Sequence, residues 1–152
     1  MTITSAVQTS RFGLVPYTPD DVVSFAEGLL GFPTLRDYVL VNHKDDSPFR
    51  WLQSVEDGTT AFLVVEPGHY VNDFSPEMPR KEAEKIDADA ETPLLVYTIV
   101  TIPRGRPNDM TINLAGPIVI NAANGKAVQV VFEGDTYPIR HRVFAESQSE
   151  AA

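Results

Sequence analysis

The chain has 152 residues, 43% of them apolar, no cysteine and a net charge of −9 with a pI near 4.7. That length suits one domain with a core large enough to fold without cross-links, and the lack of cysteine excludes a disulfide scaffold or a thiolate-held metal. The acidity disfavours direct contact with nucleic acid, where phosphate dominates affinity, and no apolar run reaches the ~18 residues of a membrane helix.

The predicted elements follow in chain order. Met1 to Ser5 carries neither the basic nor the apolar region of a secretory signal, so a cytoplasmic protein is expected. Val22 to Phe25 is a short apolar strand. Glu27-Gly28 and Gly31-Phe32-Pro33 bracket a loop. Tyr38 to Val41 is β-branched and aromatic, and Phe49 to Val55 partly alternates, as a half-buried strand does. Within it the one tryptophan, Trp51, stands beside Arg50, which suggests a core ring next to a buried arginine stem. Asp57-Gly58 separates this run from Thr60 to Val65 and predicts a type I′ hairpin turn. The loop Glu66 to Phe74 mixes aromatic and acidic residues. Pro79 to Ile86 reads as a helix of about two turns, with proline at its first position.

Leu94 to Ile102 is the longest strand, and Pro103 through Pro107 end it. Met110 to Leu114, Ile118 to Ile120 and Ala127 to Phe132 complete the set. Pro117 suggests an edge or a bulge, and Asn124-Gly125 a second type I′ turn. Residues after Phe144 offer nothing to bury and are expected to fray. The expectation is all-β: a small antiparallel β-barrel or sandwich-like domain over residues 1–144, one short helix in an acidic insertion, and a disordered tail at 145–152.

Catalytic chemistry is hard to place. There is no Gly-x-Ser-x-Gly nucleophile motif. His43, His69 and His141 lie far apart, without metal-ligand spacing, and no phosphate-cradling loop is present. Paired carboxylates do occur at Asp45-Asp46, Glu56-Asp57 and Asp87/Asp89. A carbohydrate-active or hydrolytic barrel using two facing acids is therefore the alternative to a binding protein, although most of these acids fall in predicted turns. A nucleic-acid-binding barrel with aromatic stacking platforms would need a basic groove that the composition does not supply. Between Asp45 and Glu91 twelve acidic residues face four basic ones, a net of −8, which favours a basic partner.

Several segments carry a resemblance. Phe25-Ala26-Glu27-Gly28-Leu29-Leu30-Gly31-Phe32 is similar to the FxEGLLGF element of the FliW family of flagellar assembly factors, and Asp46 to Ser54 to its DSPFxxLQS element. Val100-Thr101-Ile102-Pro103 and Met110 to Asn121 resemble VTIP and MTxNLxxPIVIN; Gly125 to Val130 and Tyr137 to His141 resemble the closing GKxxQ and YxxRH. The match runs in order from about Arg11 to His141. It departs in one added residue between Lys126 and Gln129, and in Gly68-His69 where the family is more apolar.

The resemblance implies a barrel-like protein that binds the RNA-binding regulator CsrA, relieves its repression of flagellin mRNA, and also binds flagellin. It implies no cofactor, no metal and no catalytic residue. Acidic charge suits a partner that presents basic surface to RNA. The expected contact surface is Glu66, Pro67, Tyr70, Asp73, Phe74 and Glu77, with Pro103, Asp109 and Met110 nearby. Gly28, Gly31, Trp51, Gln53 and Asn113 are expected to be structural.

Overall fold

The computed structural model describes residues 5–42, 46–71, 74, 76–134 and 136–144. The strands are β1 (Ser5–Thr9), β2 (Gly13–Tyr17), β3 (Val22–Phe25), β4 (Asp37–Asn42), β5 (Phe49–Ser54), β6 (Ala61–Val65), β7 (Leu94–Thr101), β8 (Thr111–Ile112), β9 (Ile118–Asn121), β10 (Lys126–Gln129) and β11 (His141–Arg142), with one helix, α1 (Arg80–Lys85). Strands β3 through β7 form an antiparallel meander, apolar on the inner face. β9 then pairs with β7, β10 with β9, and β10 with β3, which closes the sheet into a seven-stranded barrel. The β3–β10 join is parallel, while every other pairing of the described strands is antiparallel.

Period-two alternation sorts the side chains. On β9, Ile118 and Ile120 point into the barrel with Phe25, Tyr38, Leu52, Val64 and Tyr97. Val119, between them, points outward and packs with Val128, Val130 and Ile86 beneath α1. A third cluster, Val65, Val100, Ile112 and Leu114, lies outside the barrel under the segment after β6 and the C-terminal segment around Tyr137. All-β closure, with one short α-helix among the described residues, is the expected class.

Local differences have physical causes. The turn at Asp57-Gly58 is not type I′, because neither residue has positive φ. The Asp57 carboxylate instead accepts from the Thr59 N–H (3.0 Å) and from the Thr59 and Thr60 hydroxyls (2.7 and 3.0 Å). Gly58 is required for close approach: a Cβ there would sit 1.9 Å from the Gln8 carbonyl oxygen. That backbone belongs to the β1–β2 hairpin, missed in the sequence, which docks through the Ser10 N–H to the Gly58 carbonyl (3.1 Å). At Asn124-Gly125 only the glycine has positive φ (78°), and its N–H closes a wider turn onto the Asn121 carbonyl (2.9 Å). Pro117 is fully buried just before β9 and so marks no exposed edge. Arg50 is exposed, and the cation over the Trp51 ring is Arg11, 4.7 Å from its centroid. The expected tail, residues 145–152, lies outside the described residues.

Candidate functional site

Beyond Val65 the chain leaves the barrel wall through Glu66 and turns in a 3-10 segment, Pro67–His69. Pro67 is buried, and its carbonyl accepts from the Tyr70 and Val71 N–H groups (3.0 and 2.9 Å). The aromatics of this loop fold inward. Tyr70 stacks on Phe49 with ring centroids 6.1 Å apart, and Phe74 meets Tyr137 edge to face at 5.2 Å. Together with Met110 they cover the cluster of Val65, Val100, Ile112 and Leu114. Both rings are half-buried and keep part of their surface exposed.

The other expected residues divide by place. Glu66, Pro67 and Phe74 line a groove of 410 Å³, whose far wall is Leu94, Leu95 and Val119. Leu94 and Leu95 are 37% and 38% exposed, an apolar lip beside an exposed acid. Glu77 is exposed; Asp73 lies outside the described residues. Pro103 and Asp109 belong instead to the connection after β7. There the Asp109 carboxylate accepts from Arg142 (3.0 Å) and lies 3.6 Å from the Arg106 Nε, so its charge is balanced locally.

The electrostatics separate structural carboxylates from free ones. Thr59 and Thr60 hold Asp57 below the usual carboxylate range, and the Glu91 N–H and Thr92 hydroxyl do the same for Asp89. Lys85 bridges Glu27 (2.6 Å) and Glu82 (3.0 Å), lowering the Glu27 carboxyl and raising its own ammonium. An acid catalyst needs a carboxyl raised towards neutral pH, whereas each of these carboxyl shifts runs downward. Among the described residues no three His, Asp or Glu side chains converge to hold a metal. Glu66, Glu77, Glu84 and Glu91 make no ion pair among the described residues, so their charge faces solvent. No helix of the described residues is long and apolar enough to cross a membrane.

The motif residues expected to be structural have structural contacts. Gln53 is fully buried and its amide donates to the Ser54, Gly58 and Thr60 carbonyls (2.9, 3.3 and 3.1 Å). Asn113 accepts from the Ala115 N–H (3.0 Å). Gln129 was not singled out in the sequence. Its Oε1 accepts from the Leu30 N–H (2.8 Å) and its Nε2 donates to the Gly116 carbonyl (3.1 Å), tying the Gly28–Gly31 loop to the start of β9. Only its place in the closing GKxxQ motif could have flagged it.

Comparison with known proteins gives a consistent result. The family model described as FliW protein matches residues 6–143. A flagellar assembly factor FliW of Thermoanaerobacter pseudethanolicus is 35% identical over 141 residues, covering 92% of this chain and 93% of the relative. That of Syntrophus aciditrophicus is 38% identical over 137 residues, covering 90% and 86%. A crystal structure of the flagellar assembly factor FliW superposes with a TM-score of 0.84 at 30% identity, covering 93% of this chain and 99% of that one.

Proposed function

The chain belongs to the FliW protein family, and from that premise we propose that it is a flagellar assembly factor acting by partner exchange: it binds the translational regulator CsrA, relieves repression of flagellin mRNA, and gives CsrA up when it binds flagellin. The reading requires no cofactor and no bond-making step, and places the protein in the cytoplasm. One observation supports it beyond family membership. The segment after β6 sets the free carboxylate of Glu66 on an apolar groove beside the barrel wall, with Glu77 exposed between two groove residues, Pro76 and Met78. Such a surface is built to meet a basic protein that also has apolar anchors, since complementary charge steers encounter and aromatic or aliphatic contacts hold the complex. An acidic protein seated beside an RNA site also opposes the approach of phosphate.

The experiment is calorimetric titration of CsrA into the purified chain at low and moderate salt, with the Glu66→Lys/Glu77→Lys variant beside it. The expected result is tight binding that weakens with salt, and a variant at least about tenfold weaker, since reversing two charges near a basic partner removes about 1.4 kcal/mol or more. Wild-type affinity and salt slope in the variant would remove this surface from the interface. Failure of the wild-type chain to bind CsrA at all would end the reading itself.

A further inference from the structure

The barrel wall is incompletely zipped. β10 runs beside β3 only through Lys126↔Ser24 and Ala127↔Phe25, after which the chain of β3 turns away into the Gly28–Gly31 loop. On its other side β10 stays paired. Val128 faces Val119, and past the end of the strand the Val130 N–H donates to the Pro117 carbonyl (2.9 Å) and the Phe132 N–H to the Ala115 carbonyl (2.8 Å). In an antiparallel pair alternate residues turn N–H and C=O towards the neighbour. Val128, Val130 and Phe132 therefore direct theirs at β9 and the segment before it, and Gln129 and Val131 direct theirs the opposite way. No described strand lies there, and the Val131 N–H and C=O make no hydrogen bond among the described residues.

In front of this edge is a groove of 580 Å³ between the Gly28–Gly31 loop and α1. Its rim carries Leu30 and Val131, 74% and 54% exposed. On the helix side Lys85 is closed by Glu27 and Glu82, whereas Lys81 makes no ion pair among the described residues. Exposed edges are normally blunted by charge, proline or a covering element; residues 129–131, Gln-Val-Val, carry neither charge nor proline, and Val131 is left 54% exposed.

We propose that this edge is a strand-addition site: an extended segment of another protein, apolar at alternate positions and bearing a carboxylate side chain at one end, pairs with the backbone of Gln129 and Val131 and sets its carboxylate at Lys81. The outward-turned N–H and C=O groups select an extended chain over a helix, because only an extended chain offers main-chain donors and acceptors along a line. Leu30 and Val131 give alternate side chains an apolar seat, and Lys81 gives direction. The inference is independent of which proteins the 66–78 surface meets.

The test uses the full chain and an acetylated Val-Thr-Val-Thr-Glu amide peptide, with a second peptide N-methylated at alternate residues. The expected results are slowed hydrogen exchange at the Val131 amide with the first peptide, and binding weakened about tenfold or more by N-methylation, as loss of backbone hydrogen bonds implies. Val131→Pro should abolish binding while Val131→Thr, which keeps the N–H, retains it; melting curves confirm that both variants fold. Lys81→Glu should weaken the Glu-ended peptide and spare its Gln-ended counterpart. Equal binding of the N-methylated peptide, or an unchanged Val131 amide, overturns the proposal. So does protection that grows with protein concentration alone and accompanies a dimer in sedimentation, which would assign the edge to a second copy.

Discussion

Two glycines three residues apart in the same loop illustrate how differently a single methyl group can weigh. Gly28 and Gly31 both have positive φ (70° and 87°), where an L side chain is strained by about 1–2 kcal/mol. A Cβ on Gly31 would meet nothing within 4 Å, but one on Gly28 would lie 2.4 Å from the Phe32 carbonyl oxygen. Gly31→Ala should therefore lose about 1 kcal/mol in urea unfolding, and Gly28→Ala clearly more, because backbone must move as well. Equal losses would show that φ alone decides. Tyr38 carries the opposite kind of expectation. Its ring is fully buried against Phe25 and Phe62, and its hydroxyl has no hydrogen-bond partner among the described residues. Burial, and then the charge of Glu56, push the phenol up from 10.0 to about 12. The folded pKa lies above the unfolded one, so this stability is complete below pH 10 and is lost as pH rises towards 12. Burial raises Tyr97 too, and adds to the same alkaline loss. Tyr38→Phe removes an unpaired polar atom, so it should hold or raise stability at neutral pH by up to about 1 kcal/mol, and should flatten part of the alkaline decline. A loss of stability at neutral pH would mean that the hydroxyl has a partner in solution.

Helix α1 has six residues, too few to hold together alone. Its C-terminal end supplies the missing stability. The Ala88 N–H reaches back to the Ala83 carbonyl (2.9 Å) and the Asp87 N–H to that of Glu84 (3.2 Å), with Asp87 left-handed at φ 56°. Asn121 of β9 then donates to the Ile86 carbonyl (2.8 Å) while accepting from the Ala123 N–H (2.9 Å), so one amide couples the helix end to the turn before β10. Asn121→Ala should destabilise by about 2 kcal/mol, with amide exchange rising first in residues 80–88; uniform acceleration through the barrel would contradict so local a role. Element type was legible in the sequence where burial was strong: the meander β3 to β7 and the helix after Pro79 follow from apolar runs and punctuation alone. The β1–β2 hairpin was not, because Ser5 to Tyr17 mixes polar residues with Pro16, and its stability comes from docking on Gly58, a long-range contact. The turns failed for a related reason: at Asp57 the side chain satisfies the turn in place of positive backbone φ. The candidate loop is legible through its aromatics amid acids, but the inward packing of Phe74 against Tyr137 depends on a segment more than sixty residues away in the chain.

At the scale of the whole molecule, net charge and shape act together. A net charge of −9 raises a self-repulsion that opposes the compact state, while the same field would attract the proposed basic partner. Salt screens both, with a Debye length near ~10 Å at 0.1 M, and the two effects have opposite signs. Raising sodium chloride from about 0.02 M to about 0.5 M should raise the melting temperature by about 2–4 °C, the size of about 1 kcal/mol for a chain this long, and over the same range should weaken CsrA binding. Structural pairs such as Lys85 with Glu27 and Glu82 work against the first effect, since screening loosens them. Among the described residues they are few and at least partly exposed, where such pairs contribute little, so repulsion should dominate. A melting temperature that falls with salt would show that these pairs outweigh the repulsion. CsrA affinity that ignores salt would show that the charge of residues 45–91 takes no part in recognition, leaving the apolar lip of Leu94 and Leu95 to account for it.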